Sequence, residues 1–229
     1  MGKIISFSRP DGRPVKGYLV EPEQDSSAPG VVVIQEWWGL NKQIIGEAKK
    51  LAVAGYRALV PDLYRGKQAL ESDKARHLMN SLNFGDAVSQ DIRAAVQYLK
   101  ASGSRKAGIN GFCMGGALAL LAAVFVPESD ANATWYGYPP LKYMHVSKIK
   151  KPLLGHWANE DHFFPIDGVN TLEKKLRAAS VDFSFYRYDA KHAFANEKAD
   201  SENLQQTAYH PTAATIAWLR TLSFFDRHL

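Results

Sequence analysis

The stretch Lys106-Ala107-Gly108-Ile109-Asn110-Gly111-Phe112-Cys113-Met114-Gly115-Gly116-Ala117-Leu118 decides how the rest of the chain is read. Residues 107–110 are short and strand-like, and residues 114–126 form an apolar helical run. Between them stands Gly111-x-Cys113-x-Gly115. A nucleophile held in a sharp strand-to-helix bend leaves no room for side chains two positions away on either side. That is the spacing of a nucleophile elbow, with cysteine where serine usually stands. A lone cysteine is most often a small buried hydrophobe, but here strand, glycines and helix all agree with the reactive reading. Cys113 would cap a helix N-terminus, where free N–H groups and the helix dipole favour thiolate. The Met114 N–H would then face the oxyanion formed on attack.

Working outward, Val31-Val32-Val33-Ile34 is a continuous β-branched run suited to a strand buried on both faces. Further strands are expected at 4–8, 15–20, 58–60, 131–136, 152–157 and 181–188. Helices are expected at 41–54, 86–100, 168–179 and 202–219. In the second of these, Val88, Ile92, Ala95, Val96 and Leu99 share one face. Asp11-Gly12 between the first two strands signals a hairpin, and residues 21–29 read as a surface loop. Strand–helix alternation predicts an α/β fold with a mostly parallel sheet, as one domain over residues 1–229.

Composition fits this picture. The 229 residues are 46% hydrophobic and carry a formal charge of +5. The basic residues are scattered, so no nucleic-acid partner is expected. A single cysteine excludes an internal disulfide framework and any cysteine-cluster metal site. The N-terminal residues lack the apolar run of a signal peptide, and no 18-residue apolar stretch suggests a membrane span. A soluble, cytoplasmic protein is expected, as a monomer or weak homodimer.

An elbow nucleophile needs a base and an acid, in the order nucleophile, acid, histidine. His192 alone among the later histidines lies in a loop just beyond an expected strand. His156 falls within a strand, His210 precedes Pro211, and His228 lies in the terminal residues. For the acid, Asp161 follows the 152–157 strand, with Glu160, Asp167 and Asp189 as competitors. Its place between elbow and histidine, at a strand end of its own, favours Asp161.

Gly-Phe-Cys-Met-Gly-Gly at 111–116, the Asp161 loop before Pro165 and His192-Ala193-Phe194 resemble the dienelactone hydrolase (carboxymethylenebutenolidase) family. So do Gln35-Glu36-Trp37-Trp38-Gly39-Leu40-Asn41 and the segment from Tyr56 to Tyr64. The resemblance implies an α/β-hydrolase fold and a Cys113–His192–Asp161 triad without metal or organic cofactor. It adds that Glu36 takes the thiol proton when substrate displaces its carboxylate, and that the Trp37 amide joins Met114 in the oxyanion hole. The implied substrate is a small lactone or carboxylic ester, cleaved through a thioester. Relatives acting on dienelactones hold the substrate carboxylate with arginines, one of them shortly after the histidine. Asn196 stands at that place here, and a neutral amide cannot make a guanidinium's bidentate contact.

Aromatic residues cluster in segments near the expected strand ends, where this fold class opens its ligand crevice. Tyr136, Trp38, Phe164 and Phe194, with Asn196, are the expected substrate-binding residues. Two alternatives differ in kind: a promiscuous carboxylesterase or aryl phosphotriesterase using the same thiolate, and a non-catalytic binding protein on this fold. The usual mark of the second is a lost nucleophile, histidine or elbow glycine, and all are present.

Overall fold

The computed structural model describes residues 2–23, 27–201 and 204–229. Residues 24–26 of the expected loop and 202–203 of the expected last helix lie outside them. The strands are β1 (Lys3–Ser8), β2 (Pro14–Val20), β3 (Gly30–Ile34), β4 (Arg57–Pro61), β5 (Ala107–Phe112), β6 (Ala131–Trp135), β7 (Leu153–Glu160) and β8 (Phe183–Lys191). All join one sheet in the order β1-β2-β4-β3-β5-β6-β7-β8. β1 and β2 form the expected antiparallel hairpin, and β2 also runs antiparallel to β4. Every other neighbouring pair is parallel.

The β-branched run explains the layering. Side chains alternate along a strand, so Val31 and Val33 pack on one face with Ile44, Leu51 and Phe225. Val32 and Ile34 pack on the other with Ile92, Leu99 and Leu118. Those partners come from α1 (Lys42–Val53) and α7 (Pro211–His228) on the first face. On the second they come from α5 (Met114–Phe125) and from a helical stretch built of α3 (Phe84–Asp86), a π-helical segment (Ala87–Ile92) and α4 (Arg93–Ala101). β3 has β4 on one side and β5 on the other. Successive crossovers therefore leave in opposite directions, which opens a crevice at the C-terminal ends of β3 and β5.

Some elements depart from expectation. α2 (Ser72–Ser81) is an extra helix that buries only Ala75 and Leu78, so its apolar signal is thin. The expected 86–100 helix keeps its buried face but widens into the π-helical segment around Asp91. Asp91 is 1% exposed and pairs with Arg65 Nη2 at 2.8 Å and Arg9 Nη1 at 3.3 Å. The last helix begins at Pro211 rather than 202, because His210 caps it and proline suits its first position. It continues through His228, past the expected end at 219. No described helix is long and apolar enough to cross a membrane.

Candidate active site

Cys113 follows β5 directly and caps α5 with φ +54°, a left-handed conformation that is costly for a side-chain-bearing residue. Its amide donates to Trp135 O at 2.9 Å, and its carbonyl accepts from Gly116 and Ala117. The glycines make the bend possible. A Cβ on Gly111 would overlap the Gly115 carbonyl, and one on Gly115 would run into the Ile34 carbonyl at the end of β3. A third glycine matters equally: a Cβ on Gly137 would collide with the Cys113 carbonyl.

His192 is the first residue after β8, and Asp161 the first after β7. Both strands run past their expected ends, which carries these residues to the crevice. His192 Nε2 lies 3.1 Å from Cys113 Sγ, and Nδ1–H donates to Asp161 Oδ2 at 2.7 Å. Both side chains are buried. The other carboxylate oxygen, Oδ1, accepts from the Phe163 and Phe164 amides, each at 2.8 Å. The loop thus fixes one oxygen and leaves the other for the imidazole. The competing acids lie elsewhere: Glu160, Asp167 and Asp189 are exposed, and Asp189 accepts from Asn159.

Glu36 stands two residues beyond β3 and is 3% exposed. Its oxygens accept from two fully buried donors: Tyr136 Oη to Oε1 at 3.1 Å, and Asn196 Nδ2 to Oε2 at 2.8 Å. Burial, and then the charges of Glu36 and Cys113, push the Tyr136 hydroxyl well above its ordinary range, so it remains a donor. Nearby, the Tyr64 hydroxyl donates to Met114 Sδ at 3.3 Å. Burial and the neighbouring Cys113 raise its pKa too.

A cavity of about 200 Å³ opens over Cys113 and His192. Trp37, Trp38, Met114 and Phe164 line it, as does Phe163, and Phe164 stacks on the imidazole at 5.5 Å. Tyr136, Phe194 and Asn196, expected to touch substrate, do not line it. They pack behind it, fully buried, and two of them hold Glu36. At the turns after β6 and β8 the backbone is left-handed at Tyr136 itself (φ +40°) and at Ala193 (φ +60°), just before Phe194. Met79, Leu204 and Thr207 line the cavity without having been singled out. For Met79 the signal was present, since Ala75, Leu78, Met79 and Leu82 follow helical spacing.

Comparison with known proteins places the chain among relatives. The sequence profile of the dienelactone hydrolase family matches residues 15–229. Protein usf of Aquifex pyrophilus is 34% identical, with all of both chains covered. A protein of Aquifex aeolicus, by its name a candidate carboxymethylenebutenolidase, is 33% identical, again over the whole of both chains. The crystal structure of a candidate dienelactone hydrolase from Klebsiella pneumoniae superposes with a TM-score of 0.85 at 26% identity, covering all of both chains.

Proposed function

The chain belongs to the dienelactone hydrolase family and is an ester or lactone hydrolase of that kind acting on small molecules, and on this premise we propose that it works by covalent catalysis at Cys113. The observation that carries the proposal is the unbroken line Asp161–His192–Cys113, with contacts of 2.7 and 3.1 Å, at the floor of the cavity. A hydroxyl or thiol at ordinary pKa is a weak nucleophile unless a neighbouring base activates it.

In this reading Glu36 receives the thiol proton, and the Cys113 thiolate attacks the ester or lactone carbonyl carbon. The new C–S bond forms as the carbonyl π pair moves onto oxygen. The Trp37 and Met114 amides hold that oxyanion, each donor supplying about 3–4 kcal/mol to the transition state. Collapse expels the ester or ring oxygen as an enol or alcohol, whose proton balances the one given to Glu36. His192 then takes a proton from water, the hydroxide attacks the thioester, and Cys113 leaves as thiolate with release of the acid. Asp161 holds the imidazole in the required tautomer and stabilises its protonated form.

The test is acyl trapping. With a slowly deacylating aryl ester, mass spectrometry should find the acyl mass on Cys113, and Cys113→Ala should abolish both adduct and turnover. Turnover surviving in Cys113→Ala would overturn the covalent mechanism. A neutral aryl phosphotriester in the same assay tests the wider esterase reading, since the thiolate would be phosphorylated at the same sulfur.

A further inference from the structure

Resting on the hydrolase reading above, we infer that the substrate is an uncharged ester or lactone carrying one aromatic or compact apolar group, and that carboxylate-bearing substrates are rejected. The cavity wall supplies the first half of this. Two tryptophans, two phenylalanines and two methionines present aromatic faces and thioethers rather than hydrogen-bonding groups. Thioethers and aromatic edges pack well against rings. A dry apolar cavity of about 150 Å³ is enough to take up benzene. The space here, about 200 Å³, therefore accommodates a single ring with a short acyl chain.

Charge supplies the second half. Among the described lining residues none is a lysine or arginine, and the one carboxylate is Glu36. That carboxylate is tied by two neutral donors, Tyr136 and Asn196, neither of which brings positive charge to the site. Two cations near the site in sequence are engaged elsewhere. Arg65 grips Asp91 with contacts of 2.9 and 2.8 Å and donates to Asp62 O. Lys191 Nζ donates to Gln205 O at 3.3 Å. A substrate carboxylate entering this cavity would shed its hydration without meeting a lysine or arginine, while approaching the negative charge that passes between Glu36 and Cys113. An uncompensated charge in such a place is strongly disfavoured.

Matched 4-nitrophenyl esters of glutarate test this, one with a free terminal carboxylate and one with that carboxylate methylated. The neutral ester should show a kcat/KM at least tenfold higher, and Met79→Arg, on the cavity wall, should narrow the gap by raising the anion's rate. A parallel binding arm uses tryptophan fluorescence with phenylacetamide and phenylacetate, neither of which is turned over as an ester. The amide should bind at least tenfold more tightly. Equal or faster cleavage of the free acid overturns the inference and leaves the hydrolase reading standing. Preferred binding of the amide with no cleavage of either ester supports the charge preference and overturns the hydrolytic reading. Equal binding of amide and acid overturns the inference independently of turnover.

Discussion

Two histidines in this molecule are almost equally hidden and differ in what surrounds them. His192 is 4% exposed and His156 0%, and each has a partner at both ring nitrogens. His156 lies on β7 between Tyr188 Oη and Thr221 Oγ1, both at 2.9 Å. Thr221 Oγ1 already donates to Ala217 O, so it accepts from His156 Nε2–H. Tyr188 Oη accepts from Arg220 and so donates to Nδ1. Every hydrogen is assigned, and a second proton on this ring would have nowhere to go. His192 has instead a carboxylate at one nitrogen and a thiol at the other, partners suited to a ring that gains and loses a proton. Burial alone does not make a histidine chemical; the charge of its partners does.

The sharpest way to break this contrast is to delete each ring in turn. His192→Ala should lower kcat/KM about a thousandfold or more, with a urea midpoint near that of the parent. His156→Ala should do the reverse. It strips one hydrogen-bond partner from each of two hydroxyls and leaves a void, costing about 3 kcal/mol or more of stability. Turnover by the protein that remains folded should stay within about threefold. A stable but inactive His156 variant would sink the division of roles.

A pH series sharpens the same point. Burial, and then the nearby Arg220 charge, lower the His156 pKa from 6.5 to about 3. The native ring is neutral down to that pH, whereas the unfolded ring takes a proton below about 6.5. The stability from this site is therefore complete above pH 6.5 and is lost progressively as pH falls toward 3. Between pH 7 and 5 the loss should reach about 2 kcal/mol. Urea unfolding should show this for the parent and not for His156→Gln. The smallest effect concerns the support of Glu36. Tyr136→Phe removes one donor from that carboxylate and should cost roughly tenfold in kcat/KM, with Tm little changed.

Much of this was legible before any coordinates. The Gly111-x-Cys113-x-Gly115 bend, the Val31–Ile34 run and the strand–helix alternation each reflect a local steric or periodic requirement, and such requirements show in sequence. The pairing of Asp161 with His192 was legible as an ordering of strand ends. Whether Tyr136, Phe194 and Asn196 face the cavity or back away from it was not. That depends on left-handed backbone at Tyr136 and Ala193, residues whose type does not announce it. Gly137 escaped notice for a similar reason: its collision partner is a carbonyl 24 positions earlier in the chain. α2 went unread although Ala75, Leu78, Met79 and Leu82 follow helical spacing, a short pattern of which only Ala75 and Leu78 are buried.

The turn that follows β7 ties two tasks to the same few residues. The amides of Phe163 and Phe164 restrain the carboxylate that meets the His192 imidazole, while their side chains form part of the cavity wall. Anyone reshaping this enzyme for bulkier molecules can trim those rings to leucine or alanine and keep the N–H groups. Proline at either position would delete a donor and set the acid adrift. Combinatorial libraries across this turn should therefore vary side-chain size freely and leave imino acids out.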